Sequence, residues 1–381
     1  MPDSYTDVTS TGFFSRMGGA IMGFLLGPVL VIAAIVLLSW NEGRAVQAIR
    51  GLGEASRVAV EASPSEPSPS NNGKLVHVVG TATATEAISD SDLGVSFDKQ
   101  VAVERHAEMY QWSEKKEEQT HDKLGGGQET VTTYTYSRVW SDSPIDSSEF
   151  KHPEGHENPE MSVRDARYAA QDAKLGGYDL DKDTLGLIDL SIDLRPDAPG
   201  GWAASGATLY KGDATAPKVG DMRVTYKGLP DGTKISVLAQ QSGNGFAPFI
   251  AGNGYKLHMA ETGDQPIANM IAEKRSEESM LTWILRVVGF VLMFAGFALF
   301  LGPISTFASI IPFLGSIARG AVGLAAFVMA VPVTLIVIAI AWIAFRPLIG
   351  IGLLVVAGGL FYALRRWHQN AHPVSAAVAH A

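Results

Sequence analysis

MGGAIMGFLLGPVLVIAAIVLLSW, residues 17–40, carries no ionisable side chain across 24 positions. As a helix rising about 1.5 Å per residue it reaches about 36 Å, enough to cross a hydrocarbon core of about 30 Å. A cleaved secretory leader is the competing reading. Its apolar run exceeds a leader's core, the preceding tail carries Asp3 and Asp7 against Arg16 alone, and no A-x-A site follows. The stretch is therefore read as a retained anchor.

Working outward from it, the C-terminal region holds three more candidate spans, at 283–304, 320–345 and 347–364. Between the first two lies 305–319, broken by Pro312 and Gly315 and too short to cross alone, which reads as an interfacial or re-entrant segment. Four spans place the tails 1–16 and 365–381 on one face and everything between spans one and two on the other. Arg16, Arg319, Arg365 and Arg366 against Arg346 put the tails in the cytoplasm and residues 75–275 in an extracytoplasmic, periplasmic or lumenal, domain.

The composition divides along the same line. The chain has 381 residues, a formal charge of −9 and no cysteine, yet 46% of it is apolar. Residues 41–280 carry −13 and the remainder +4. Such a distribution excludes a soluble cytosolic enzyme, a disordered or collagen-like chain and a disulfide-stapled module. An acidic domain also argues against nucleic-acid binding, which needs a basic surface.

No acid, lysine or histidine lies inside a span, which argues against an ion or substrate pathway built from such groups. Gly19, Gly23 and Gly27 share one face of the first span. Small residues at this spacing let a second helix approach closely, either a later span of the same chain or a second copy.

After the first span, residues 41–62 place Val46, Ile49, Leu52 and Val58 at helical spacing with arginines between, a juxtamembrane amphipathic helix facing headgroups or the domain. Residues 63–74, rich in Ser, Pro and Asn, read as a flexible linker. The domain at 75–275 reads as α+β around an antiparallel or mixed sheet. Its strands are expected at 75–80, 101–112, 130–140, 220–226, 234–241 and 245–250, with a helical and mixed pattern across 159–194. Residues 101–112 and 130–140 form a long hairpin closed by the charged loop KKEEQTHDKLGGGQE. Across it Tyr110 and Trp112 could meet Tyr134, Tyr136 and Trp140, as packing pairs or as a face for a partner or lipid.

Candidate chemistry is sparse. His152-Pro-Glu-Gly-His156 lacks the helical H-E-x-x-H order of a zinc protease. Asp179, Asp181 and Asp183 open like a calcium loop, but Thr184 and Leu190 stand where Gly and Glu are needed. His77, His106 and Glu108 sit on expected strands, where structural roles come first. No catalytic, cofactor or metal site is assigned.

The order of these features resembles the transmembrane protein 43 (LUMA) family. The pieces that carry it are GFFSR at 12–16, NEGRA at 41–45, LVHVVG at 75–80, RHAEMYQW at 105–112, YTYSRVW at 134–140 and the S-S-E-F and G-H-E-N-P pieces within 147–159. VGDMRV at 219–224, VLAQQ at 237–241 and AWIAFRPL at 341–348 complete them. The resemblance implies a four-span protein of the endoplasmic reticulum and inner nuclear membrane. Such a protein self-associates, organises membrane-protein complexes and contacts emerin and lamins. The Ala- and Gly-rich, cysteine-free composition points to a bacterial member, in an inner membrane, for which lamin-like partners drop out. The expected function is a non-enzymatic membrane scaffold with lipids, other membrane proteins and its own copies as partners. The alternative is a lipid- or envelope-sensing module, and a hydrolase using His106 or His156 stands third.

Overall fold

Residues 100–122 form a single strand of 23 residues in a computed structural model of the chain, which describes residues 3–345. In chain order the first strands are β1 (Asp3–Thr11), β2 (Val60–Ala62), β3 (Leu75–Thr83), β4 (Ile88–Asp90), β5 (Val95–Phe97), β6 (Gln100–Asp122) and β7 (Gln128–Ser141). They continue as β8 (Ala166–Ala169), β9 (Lys174–Leu175), β10 (Tyr178–Asp179), β11 (Ile192–Leu194), β12 (Ala203–Ser205) and β13 (Thr208–Lys211). The last are β14 (Met222–Pro230), β15 (Lys234–Ser242), β16 (Gly245–Ala247), β17 (Phe249–Ile250), β18 (Lys256–Leu257) and β19 (Met259–Thr262). Helices are α1 (Phe13–Val58), the single turn α2 (Lys182–Leu185), α3 (Ile267–Ala308) and α4 (Pro312–Phe345).

These elements group as two units. The first comprises residues 3–10, 50–121 and 129–276. One of its sheets runs β1-β7-β6-β14-β13-β12, with β8 beside β6 and β11 beside β14. The other runs β10-β9-β3-β15-β16, with β19 beside β15 and β2 parallel to β3. Alternation sends Val76, Val78 and Val237 from the second sheet into the same core as Val103, Ala107 and Val224 from the first. Leu52 and Ala55 of α1 cover the opposite face of the second sheet with Leu75, Leu238 and Met270.

Four expectations change here. The domain is β-rich rather than α+β, because 159–194 forms β8–β11 and one helical turn. Its alanines favour helix locally, but β8 pairs with β6 from Ala102↔Ala169 to Arg105↔Ala166, and Gly176 at φ 60° turns β9 into β10. The charged stretch after Trp112 is strand, not loop. Lys115 pairs with Glu117 at 2.7 Å and Lys116 with Glu118 at 2.6 Å, one pair on each face of a ribbon wet on both sides. Residues 3–11, expected as a tail, form a β-branched, hydroxyl-rich edge strand on β7. The linker is a fixed strap: Gly177 donates to the Pro64 carbonyl at 2.7 Å, and a Cβ on Gly176 would lie 1.9 Å from that oxygen.

The second unit comprises residues 11–49, 122–128 and 277–345. Three of its helices are long and apolar enough to cross a membrane, at 13–58, 267–308 and 313–345. They contain the first three expected spans. The fourth, 347–364, and the tail 365–381 lie outside the described residues, so three spans rather than four are observed. Residues 305–319 are mostly helical, with a turn only at 309–311. Ala34, Leu38, Met293, Ala330 and Val337 form the core between the three helices.

Candidate functional site

The helical unit is closed at both ends by buried polar groups. At one end Glu42 of α1, its side chain 3% exposed, accepts from Arg286 Nε at 2.7 Å and Nη2 at 3.0 Å. Trp342 Nε1 of α4 donates to the same carboxylate at 2.7 Å, so one acid joins all three helices. The Arg286 guanidinium also lies over the Trp283 ring, 4.8 Å from its centroid. One turn on, Arg44 pairs with Glu278 and bonds Thr282 Oγ1 at 3.1 Å, and Asn41 donates to the Thr282 carbonyl at 3.0 Å.

At the other end Arg16 donates to the Gly126 carbonyl at 2.7 Å and to Ser309 Oγ at 3.0 Å. Asp122 lies 3.5 Å from Arg16 and accepts from Arg319 at 2.6 Å. Arg16 and Glu42 stand about 39 Å apart along α1, a separation that brackets a hydrocarbon core. The charge reading puts residues 16 and 122 on opposite faces of a bilayer; here they are bonded. The physical reason is that the hairpin runs on as strand to Asp122, which brings its tip to the start of α1.

The glycine face is used unevenly. A Cβ on Gly27 would stand 2.6 Å from the Gly296 carbonyl, which marks the α1–α3 crossing. One on Gly23 would meet Leu299 at 3.3 Å, and one on Gly19 would meet nothing within 4 Å. Beyond that crossing a wedge of about 340 Å³ opens between Gly19, Gly302 and Arg16.

In the β domain the aromatic candidates divide. Tyr110 and Trp140 pair across the hairpin with centroids 5.2 Å apart, and Arg223 caps Trp140 at 4.7 Å. Tyr136 is sealed: it stacks on His156 at 4.0 Å beside Phe150 and Tyr5, and its hydroxyl donates to Glu114 at 2.5 Å. Burial first, and the Glu114 carboxylate second, push this phenol up to about 12. Trp112 stands edge-on to His156 at 4.7 Å, and Tyr134 edge-on to His152 at 5.9 Å. Asn158 bonds the Trp112 backbone both ways, accepting from its N–H at 2.7 Å and donating to its carbonyl at 2.9 Å.

Other residues singled out by sequence take local roles. His156 Nδ1 faces the His152 carbonyl at 3.0 Å and Nε2 faces Asp3 at 3.3 Å. His106 pairs with Asp165 at 3.2 Å, and Glu108 holds Arg223 by two bonds. Asp179 pairs with Lys174, and Asp181 caps α2 through the Thr184 N–H at 2.7 Å.

Sequence reasoning missed the domain's central charge. Arg105, 2% exposed, donates twice to the fully buried Asp90, at 2.7 and 2.6 Å, and to Asp92 at 2.8 Å. Tyr226 donates to Asp90 at 2.6 Å. Burial pushes the Asp90 carboxyl up, but bonds from Tyr226, Arg105 and Tyr168 outweigh it and hold it below its usual range. Burial and Asp90 in turn push the Tyr226 phenol well above its usual range. Beside this centre Tyr168, Arg167, Glu86 and Lys182 line a cavity of about 590 Å³ of mixed charge.

Apolar helices joined by buried polar clasps, on one chain with a two-sheet domain, define a transmembrane protein with a large β-rich domain. The chain belongs to the transmembrane protein 43 family: the family model of that description matches residues 109–347. It is 29% identical to transmembrane protein 43 of Homo sapiens over 353 residues, 88% of each chain. Identity is 30% to the Rattus norvegicus protein over 88% of each chain, and 28% to the Drosophila melanogaster homolog over 87% of this chain and 91% of that one. No solved structure matches.

Proposed function

We propose that this chain is a non-enzymatic integral membrane scaffold that self-associates and organises neighbouring membrane proteins or lipids. The observation that carries this reading is the pair of clasps, which fix α1, α3 and α4 as one set while their outer faces stay apolar. Val29, Ile32 and Val36, at helical spacing on α1, are 58%, 61% and 62% exposed. A fixed helix set with such a stripe suits packing against lipid or a second copy. Light scattering of the protein in mild detergent tests it: the expected mass is a multiple of the 40.5 kDa chain. A strictly monomeric particle at every protein concentration overturns the self-association.

The second reading, lipid binding, draws on the wedge beside Gly19 and Gly302, whose lining joins Arg16 and Thr306 to the apolar Ala20, Ala298 and Leu299. Native mass spectrometry distinguishes the two readings. Lipid retained by the wild type and lost in Gly19→Leu, with oligomer mass unchanged, favours the second.

A further inference from the structure

His77 is 2% exposed and lies between two groups that can only accept hydrogen bonds when the neighbouring carboxyl is ionised. Its Nδ1 is 2.7 Å from Glu61 Oε2 and its Nε2 is 2.9 Å from the Gln265 carbonyl oxygen. A neutral imidazole has one N–H, so it serves one of these acceptors and turns a lone pair on the other. Both bonds form together only when the site holds one further proton, shared between the ring and the Glu61 carboxyl.

The two acceptors are placed unusually. Glu61 belongs to β2, which starts two residues after α1 ends, and Gln265 stands two residues before α3 begins. His77 on β3 therefore ties the chain leaving one apolar helix to the chain entering the next. On the same face of the sheet, Glu261 of β19 stands opposite Ser236 of β15. β15 offers Ser236 and Leu238 on the same face, and Ser236 Oγ accepts from the Gln265 N–H at 2.8 Å. The turn before α3 carries Asp264, already bonded to Lys234 at 2.7 Å. Residues 267–271 of α3 are uncharged, and Arg57 at the end of α1 is exposed. The Glu61 side chain is 70% exposed, so the site exchanges protons with water directly.

We propose that His77, Glu61 and Gln265 form a proton-dependent latch at the seam between α1 and α3. Protonated, the latch holds β2 and the turn at 263–266 on β3. As pH rises the extra proton leaves, one bond fails and the seam loosens.

The test is hydrogen–deuterium exchange on the full chain in nanodiscs at buffer values from about pH 5 to pH 8, corrected for intrinsic rates and referenced to β14. Protection at residues 60–63 and 264–268 is expected to fall by roughly tenfold from the acid to the neutral side, the worth of one charge-assisted bond. His77→Gln, with a single amide donor pair and no titration, is expected to abolish that step. Glu61→Gln, a surface change that leaves the core intact, is expected to do the same if His77→Gln fails to fold. An unchanged pH step in either folded variant, or a flat wild-type profile, overturns the proposal.

Discussion

Breaking the Glu42 clasp should be asymmetric, and the asymmetry can be worked from exposure. Arg286→Met removes two donors from a carboxylate that is 3% exposed and leaves it with Trp342 alone. Stripping one partner from a buried ion pair costs about 3–5 kcal/mol. Glu42→Gln strands a guanidinium instead, but that group is 17% exposed, stacks on Trp283 and can extend toward water. A glutamine oxygen still accepts from Trp342, so the loss should be about 1–2 kcal/mol. The double variant should recover part of the larger loss, giving a coupling of about 2 kcal/mol. The assay is reversible unfolding in mixed micelles followed by far-ultraviolet circular dichroism, with the Arg44–Glu278 pair as a more exposed control. Equal losses from the two single changes, or additivity within about 0.5 kcal/mol, would refute the claim that Glu42 is the buried hub.

Gly27→Leu should destabilise the helical unit by at least about 2 kcal/mol because its Cβ meets the Gly296 backbone, whereas Gly19→Leu meets open space and should change stability little; thermal unfolding of both decides it. Tyr226→Phe should cost about 1–3 kcal/mol by leaving Asp90 Oδ2 short of a donor, measured by the same unfolding assay. Because the Asp90 carboxyl is held below its usual range, its stabilisation is present above the unfolded-state value and is lost as pH falls through the folded one. Asp90→Asn should accordingly flatten the acid limb of a stability-against-pH curve, and a limb of unchanged steepness would rule that out. Asn158→Ala should cost about 1–3 kcal/mol and raise exchange at the Trp112 amide, since no other side chain replaces its paired bonds.

Much of the architecture was legible because it is written locally. The charge-free run at 17–40 needs no partner to declare itself, and alternation in segments such as MRVTY at 222–226 marks a half-buried strand. The hairpin reading placed Tyr110 and Trp112 across from Tyr134, Tyr136 and Trp140, and of these Tyr110 and Trp140 pair ring to ring. What stayed hidden depends on distant partners. Arg105 and Asp90 lie 15 residues apart and meet only after β4 folds beside β8, while Asp122 and Arg319 are 197 apart. The Ala-rich stretch at 166–169 reads as helix until β6 supplies a ladder edge. One local signal was available and unused: Glu42 directly follows the first span and Arg286 opens the second, opposite charges at the same end of two antiparallel helices.

The pieces of sequence that carry the family resemblance fall on joints rather than around a reaction centre. GFFSR supplies Arg16, which holds the hairpin tip, and NEGRA supplies Glu42 and Arg44, which hold α3. AWIAFRPL supplies Trp342, the third partner of Glu42. RHAEMYQW and GHENP, 43 positions apart at Trp112 and Gly155, meet through Asn158 and His156. LVHVVG supplies His77, bonded to the segments that flank two apolar helices. A reaction centre would gather such residues around one space large enough for a substrate. Among the described residues they are spread over separate seams, at Arg16, at Glu42, at Trp112 and at His77. Residues 41–280 carry −13. A net charge of that sign attracts cationic groups and repels anionic ones at a distance.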